Sequence, residues 1–157
     1  KLANYFDKVV AFEPDRYLYV ELKDMCRVMY PNVEVRNEAI LDYNGRGDLE
    51  FSESSPSKAR GQYVSESFEG DVTVKTLRSL DIQGCGLIKI DVEGGELPAL
   101  RGAGRMLRHQ KPVVVVECKA RTAARFDWTI DELHFYMWEQ GYRLASEIHP
   151  NRVYVTR

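Results

Sequence analysis

The chain has 157 residues, with 22 basic against 24 acidic ones and a formal net charge of −2, which is length enough for one domain with a real core. Charges of both signs are interspersed, so the basic field of a nucleic-acid binder is excluded, and the apolar run around Val113 to Val116 is far too short to cross a bilayer. Three scattered cysteines, Cys26, Cys85 and Cys118, form no C-x-x-C pair, which indicates neither a disulfide framework nor a zinc site and fits a reducing cytoplasm.

Lys8 to Phe12 reads as a short apolar strand ending at Glu13-Pro14. Asp15 can cap a helix running to about Met29, with Leu18, Leu22, Met25 and Met29 near helical spacing and Pro31 closing it. Asn32 to Asn37 alternates as a second strand. The stretch 41–80 differs in texture. Asn44-Gly45-Arg46-Gly47, the polar run Ser52 to Arg60 and the alternating segments Asp48 to Ser52 and Asp71 to Thr76 predict an antiparallel hairpin-and-loop insertion. Thr76 to Ile82 follows as a short helix, and Gly86 to Ile90 as the next strand.

That strand runs directly into Asp91-Val92-Glu93-Gly94-Gly95-Glu96. In open α/β sheets ligands collect beyond the carboxyl ends of parallel strands, where side chains and helix N-termini face a crevice. The same acids equally suit a local role, with Asp91 capping the next helix and Glu93 and Glu96 complementing its dipole. The helix is predicted over Gly95 to His109, with Leu97, Leu100, Ala103 and Leu107 on its apolar face and Pro98 in the tolerated first turn. Pro112 to Glu117 is a continuous β-branched run, which predicts a strand buried on both faces. A helix over Thr129 to Gln140 stops at Gly141, and Tyr142 to Ile148 with Arg152 to Thr156 reads as a terminal hairpin about His149-Pro150-Asn151. Strands alternating with helices imply an α/β fold on a mostly parallel sheet. No repeat and no linker divides residues 1–157, which are expected to form a single domain.

Three apolar strands end in an acid, namely Glu13, Asp91 and Glu117, and parallel strands of one sheet would bring these to one crevice. His149 is a second candidate base, placed in a turn toward the same region. His109 and His134 read as helix-surface residues, Trp128, Phe135, Tyr136 and Trp138 as packing, and Arg101, Arg105 and Arg108 as a solvated helix face.

Val9-Val10-Ala11-Phe12-Glu13-Pro14, Asn37-Glu38-Ala39-Ile40, Thr76-Leu77-x-x-Leu80, Ile88-Lys89-Ile90-Asp91-Val92-Glu93-Gly94-x-Glu96, Leu100-x-Gly102-Ala103 and Pro112 to Glu117 occur in this order. Over nearly the whole chain the series resembles FkbM-type methyltransferases, which are class I enzymes dependent on S-adenosylmethionine. The resemblance implies a Rossmann-like sheet with a terminal antiparallel hairpin, and methyl transfer to a hydroxyl of a sugar, polyketide or similar small molecule. It also implies roles. Glu13, followed by Pro14, resembles the acid that accepts hydrogen bonds from both ribose hydroxyls. Glu38 and Ala39 resemble the positions against the adenine ring. Asp91 resembles the strand-end acid near the methionine moiety and the acceptor, with Glu93 beside it and Glu117 at the end of another strand.

A carboxylate there can take the acceptor's proton or hold a divalent ion that lowers the alcohol's pKa. Asp91 and Glu117 suit magnesium in ligand type, yet no metal is indicated. The family's first strand and glycine-rich loop should come before Lys1 to Phe6, which reads as the tail of the helix after that loop. That strand lies centrally, between the Val9 and Ile88 strands, so a longer polypeptide or a second chain is expected to supply it. The expected partner is a small-molecule hydroxyl substrate, with no nucleic acid and no membrane. The alternative is a catalytically inactive methyltransferase-like scaffold or accessory binding module.

Overall fold

The computed structural model describes residues 2–51 and 62–157; the polar run from Ser52 to Arg60 lies outside them. β1 (Val9–Phe12) and β2 (Val33–Arg36) pair in parallel, Val9 opposite Val33. Their crossover is α1 (Arg16–Met29). Asp15 starts this helix because its Oδ1 accepts the Tyr17 and Leu18 amides at 2.7 and 3.0 Å, satisfying two of the donors a helix start leaves open.

β3 (Ala39–Ile40), β4 (Gly45–Phe51), β5 (Gln62–Glu66) and β6 (Val72–Lys75) form a second sheet in the order β3-β6-β4-β5. β4 runs antiparallel to β5 and β6, whereas β6 runs parallel to β3, which precedes the stretch 41–80. Thr76 caps a single 3-10 turn, Leu77–Ser79, in place of a longer helix.

The third sheet holds β7 (Leu87–Ile90), β8 (Val113–Glu117), β9 (Tyr142–Ile148) and β10 (Asn151–Thr156). Its order is β7-β8-β10-β9, with β7 and β8 parallel and both β10 pairings antiparallel. The terminal hairpin therefore inserts β10 beside β8 and leaves β9 on the edge. The remaining helices are α2 (Glu96–Gly102), α3 (Gly104–Gln110), α4 (Ala120–Ala123) and α5 (Ile130–Glu139).

Two expectations need correction, one on a helix and one on a strand. The helix predicted over 95–109 is broken at Ala103, whose N–H is shared between Ala99 O and Leu100 O at 3.1 and 3.0 Å. The chain packs closely beside the break, where a Cβ on Gly102 would lie 2.1 Å from Leu41 O. The sheet is open between β1 and β7, where the sequence leaves out a central strand: the two share no hydrogen bond and no described strand lies between them. The β8 run is buried on one face only, where Val114 and Val116 are inaccessible while Val113 and Val115 stay partly exposed.

One core joins Ile88, Ile90, Leu97, Leu100, Leu107, Val114, Val116, Leu133 and Met137, with Phe12 of β1 packed against it. A smaller one joins Ala39, Leu41, Val64, Val72 and Val74. No helix among the described residues is long and apolar enough to cross a membrane.

Candidate active site

The parallel register sets Ile90 opposite Val116, so Asp91 and Glu117, one residue further along each chain, are neighbours at the carboxyl edge. One oxygen each of Asp91, Glu93 and Glu117 lie within 4.8 Å of one another. Lys119 Nζ stands 3.1 Å from Glu117 Oε2 and 3.6 Å from Glu93 Oε1, and Lys89 Nζ 3.2 Å from Asp91 Oδ2. These are the described residues that could hold a divalent ion, but the Lys119 ammonium already serves two of the three carboxylates and an ion would have to displace it.

The pair titrates apart. Partial burial raises the Asp91 pKa, but the hydrogen bond with Glu117 and the charges of Lys89 and Lys119 outweigh it and hold Asp91 below the usual carboxylate value. Glu117 is pushed up, first by that same bond to Asp91 and then by burial.

Asp91 is not a helix cap. Gly95 occupies the N-cap of α2 with no side-chain cap bond, and the chain between them makes a tight turn in which Gly95 N–H reaches Val92 O at 3.3 Å. Both central residues have positive φ, 51° at Glu93 and 119° at Gly94, the pattern of the mirror-image turns that favour Asn-Gly. A left-handed Glu costs about 1–2 kcal/mol. Neighbours hold the turn in place. Glu96 Oε1 accepts the Gly94 and Val92 amides at 3.0 and 3.3 Å, and Trp128 Nε1 donates to Gly94 O at 2.6 Å. A Cβ on Gly94 would lie 2.3 Å from Thr122 O of α4, so no other residue fits.

Glu13 closes β1 on the other sheet. Its Oε1 accepts the Asp15 amide at 2.9 Å, its Oε2 has no donor among the described residues, and burial raises its pKa. Asn37 Nδ2 bridges Glu13 O and Pro14 O at 2.9 and 3.0 Å, tying the ends of β1 and β2 together. Glu38 follows with a buried Oε2 that has no hydrogen-bond partner among the described residues, and Ala39 is 5% exposed. Asp91 and Glu117 thus meet as expected, but no hydrogen bond or ion pair among the described residues joins Glu13 to them.

His149 lies exposed in the β9–β10 turn, and His134 Nδ1 is engaged by Tyr154 OH at 2.7 Å. Trp128 is buried, whereas Phe135 and Trp138 are solvent-exposed and stack on each other at 6.1 Å, a correction to their expected packing role. Lys89, Lys119 and Trp128 are the site residues that the motif reading missed. The spacing Glu117-x-Lys119 was the available signal for one of them.

Residues 2–144 match the methyltransferase FkbM domain. The chain belongs to the FkbM methyltransferase family. Its fold is similar to the crystal structure of methyltransferase FkbM from Methylobacillus flagellatus KT, with a TM-score of 0.63 and 20% identity. The likeness covers 96% of this chain and 36% of that one, so the FkbM domain described by these residues spans about a third of the length of that protein. No protein of curated function matches the chain.

Proposed function

We propose that this FkbM domain transfers a methyl group from S-adenosylmethionine to a hydroxyl of a sugar or other small molecule. The observation that carries the reading is the Asp91–Glu117 pair, two carboxyls at adjacent parallel strand ends whose proton affinities are driven in opposite directions. Family membership supports it.

The residues on the β1 side suit the donor. Glu13 offers a free carboxylate oxygen for ribose hydroxyls, and the buried, unpartnered Glu38 Oε2 is an acceptor that suits an exocyclic amine beside Ala39. When bound, the sulfonium supplies an electrophilic methyl group. Asp91 holds the acceptor hydroxyl by accepting its hydrogen bond, which fixes the oxygen for in-line attack. As that oxygen forms its new bond it becomes strongly acidic, so even a carboxylate of depressed pKa takes the proton. Glu117 supports Asp91 through its hydrogen bond, and Lys119 offsets the charge of Glu93 beside it. A strand from a longer polypeptide or a second chain, seated between β1 and β7, would complete the wall facing Asp91.

Isothermal titration of the full polypeptide with S-adenosylhomocysteine tests the reading. Binding is expected, and Glu13→Ala should weaken it by about 1.5–3 kcal/mol through loss of charge-assisted bonds. Absence of binding would leave the inactive-scaffold alternative in its place. Labelled methyl incorporation into a panel of sugars and small alcohols then identifies the acceptor.

A further inference from the structure

We propose that Glu96 is a positioning residue for the acceptor-side carboxylates, acting through the backbone of the Val92–Gly95 turn. The inference rests on the reading of Asp91 and Glu117 as the acceptor side. Glu96 is 2% exposed, yet its position in the first turn of α2 would let an ordinary glutamate lie in solvent. It folds back instead, and a single oxygen, Oε1, takes both the Val92 and Gly94 amides. Those two amides flank Glu93, whose φ of 51° is unfavourable for any residue with a side chain. On the other side Trp128, 4% exposed, grips Gly94 O. The turn is therefore clamped at its N–H groups by one buried side chain and at its carbonyl by another.

Asp91 and Glu93 are the residues immediately before and inside this clamp, and their oxygens must stay within 4.8 Å of Glu117 for the carboxyl pair and its lysines to interact. A relaxed turn would swing Glu93 away from Lys119 and loosen Asp91 from Glu117. Oε2 of Glu96 is buried and has no partner, and burial raises the pKa of the group. Both facts favour the neutral acid, whose shape and acceptor oxygen glutamine reproduces.

The test uses full-length protein with 13C-labelled Asp and Glu carboxyls, titrated by NMR, together with amide hydrogen exchange. The wild type is expected to show Asp91 titrating below and Glu117 above the ordinary carboxylate value. Glu96→Ala should draw the two toward each other by roughly half a pH unit or more and speed exchange at Val92 and Gly94 about tenfold or more, with β7 and β8 still protected. Glu96→Gln should restore both readouts. Unchanged titration and exchange in Glu96→Ala would overturn the proposal, and so would loss of protection throughout the sheet. If Glu96→Ala does not fold, Trp128→Phe removes the bond to Gly94 O while keeping a ring in the core. It must show the same local loosening, and a rigid turn in that variant defeats the idea. Failure of the wild type to bind S-adenosylhomocysteine would instead count against the methyltransferase reading, with the titration and exchange still deciding what Glu96 does.

Discussion

Two carboxyls at one strand edge are driven toward different proton affinities because their surroundings differ. Asp91 has Lys89 at 3.2 Å and a hydrogen bond from Glu117, while Glu117 bears the repulsion of Asp91 and is relieved only in part by Lys119. Methyl transfer should then follow a bell-shaped pH profile, with an acid limb below the usual carboxylate range as Asp91 ionises and a basic limb above it as Glu117 loses its proton. Glu117→Gln keeps a donor toward Asp91 and cannot titrate, so the basic limb should vanish while the rate on the plateau stays close to that of the wild type. Asp91→Asn removes the proton acceptor and should lower turnover by about 10²–10⁴-fold. A Glu117→Gln enzyme that retains the basic limb would show that another group produces it. For stability the signs oppose. The depressed pKa of Asp91 favours the fold above its unfolded value and is lost as pH falls through the folded one; the raised pKa of Glu117 disfavours the fold increasingly as pH rises from the unfolded value to the folded one.

Among the elements, those with a local chemical signal were the legible ones. Asp15 was readable as a cap because its short carboxylate precedes a periodic apolar run, and the structure shows it accepting two amides as well as Gln62 Nε2 at 2.9 Å. Burial raises its pKa, but these bonds prevail and lower it. Asp15→Ala should therefore cost about 1 kcal/mol of stability at neutral pH, a deficit that shrinks as pH falls through the depressed pKa and disappears in strong acid; paired thermal melts across pH measure it. The α5 start was equally readable, and Thr129 with Glu132 completes a reciprocal capping box. What escaped lacked a local signal. Four residues of α4 carry no measurable period, and Gln62 to Glu66 alternates only over five residues beside a polar run. The site followed the same rule. Strand-end acids announced themselves, whereas Trp128 enters the Gly94 turn only through tertiary packing, and no spacing encodes that contact.

At the scale of the whole molecule the decisive fact is the division between β1 and β7. Each is hydrogen-bonded on one side only among the described residues, β1 to β2 and β7 to β8. Yet Phe12 packs against the core containing Ile88 and Ile90, so both strands border one apolar body. Backbone groups left open beside such a core are costly when dry and adhesive when wet. A strand seated in this space would pair both edges at once and would bring Glu13 and Asp91, now on separate sheets, under one continuous surface. Amides of β1 and β7 that point into the space should exchange far faster in a polypeptide of these 157 residues than those facing β2 and β8, and should become protected in a longer polypeptide carrying the inserted strand. Equal protection of both edges in the monomeric 157-residue chain would defeat this. Affinity for S-adenosylhomocysteine belongs to the same comparison, because under the proposed function Glu13 and Glu38 would supply one wall of the donor site and a strand between the sheets would supply the opposite one. The longer polypeptide should bind more tightly, and Glu13→Ala should weaken it by more than it weakens the shorter chain, since a hydrogen bond contributes fully only when the other wall holds the ligand in register.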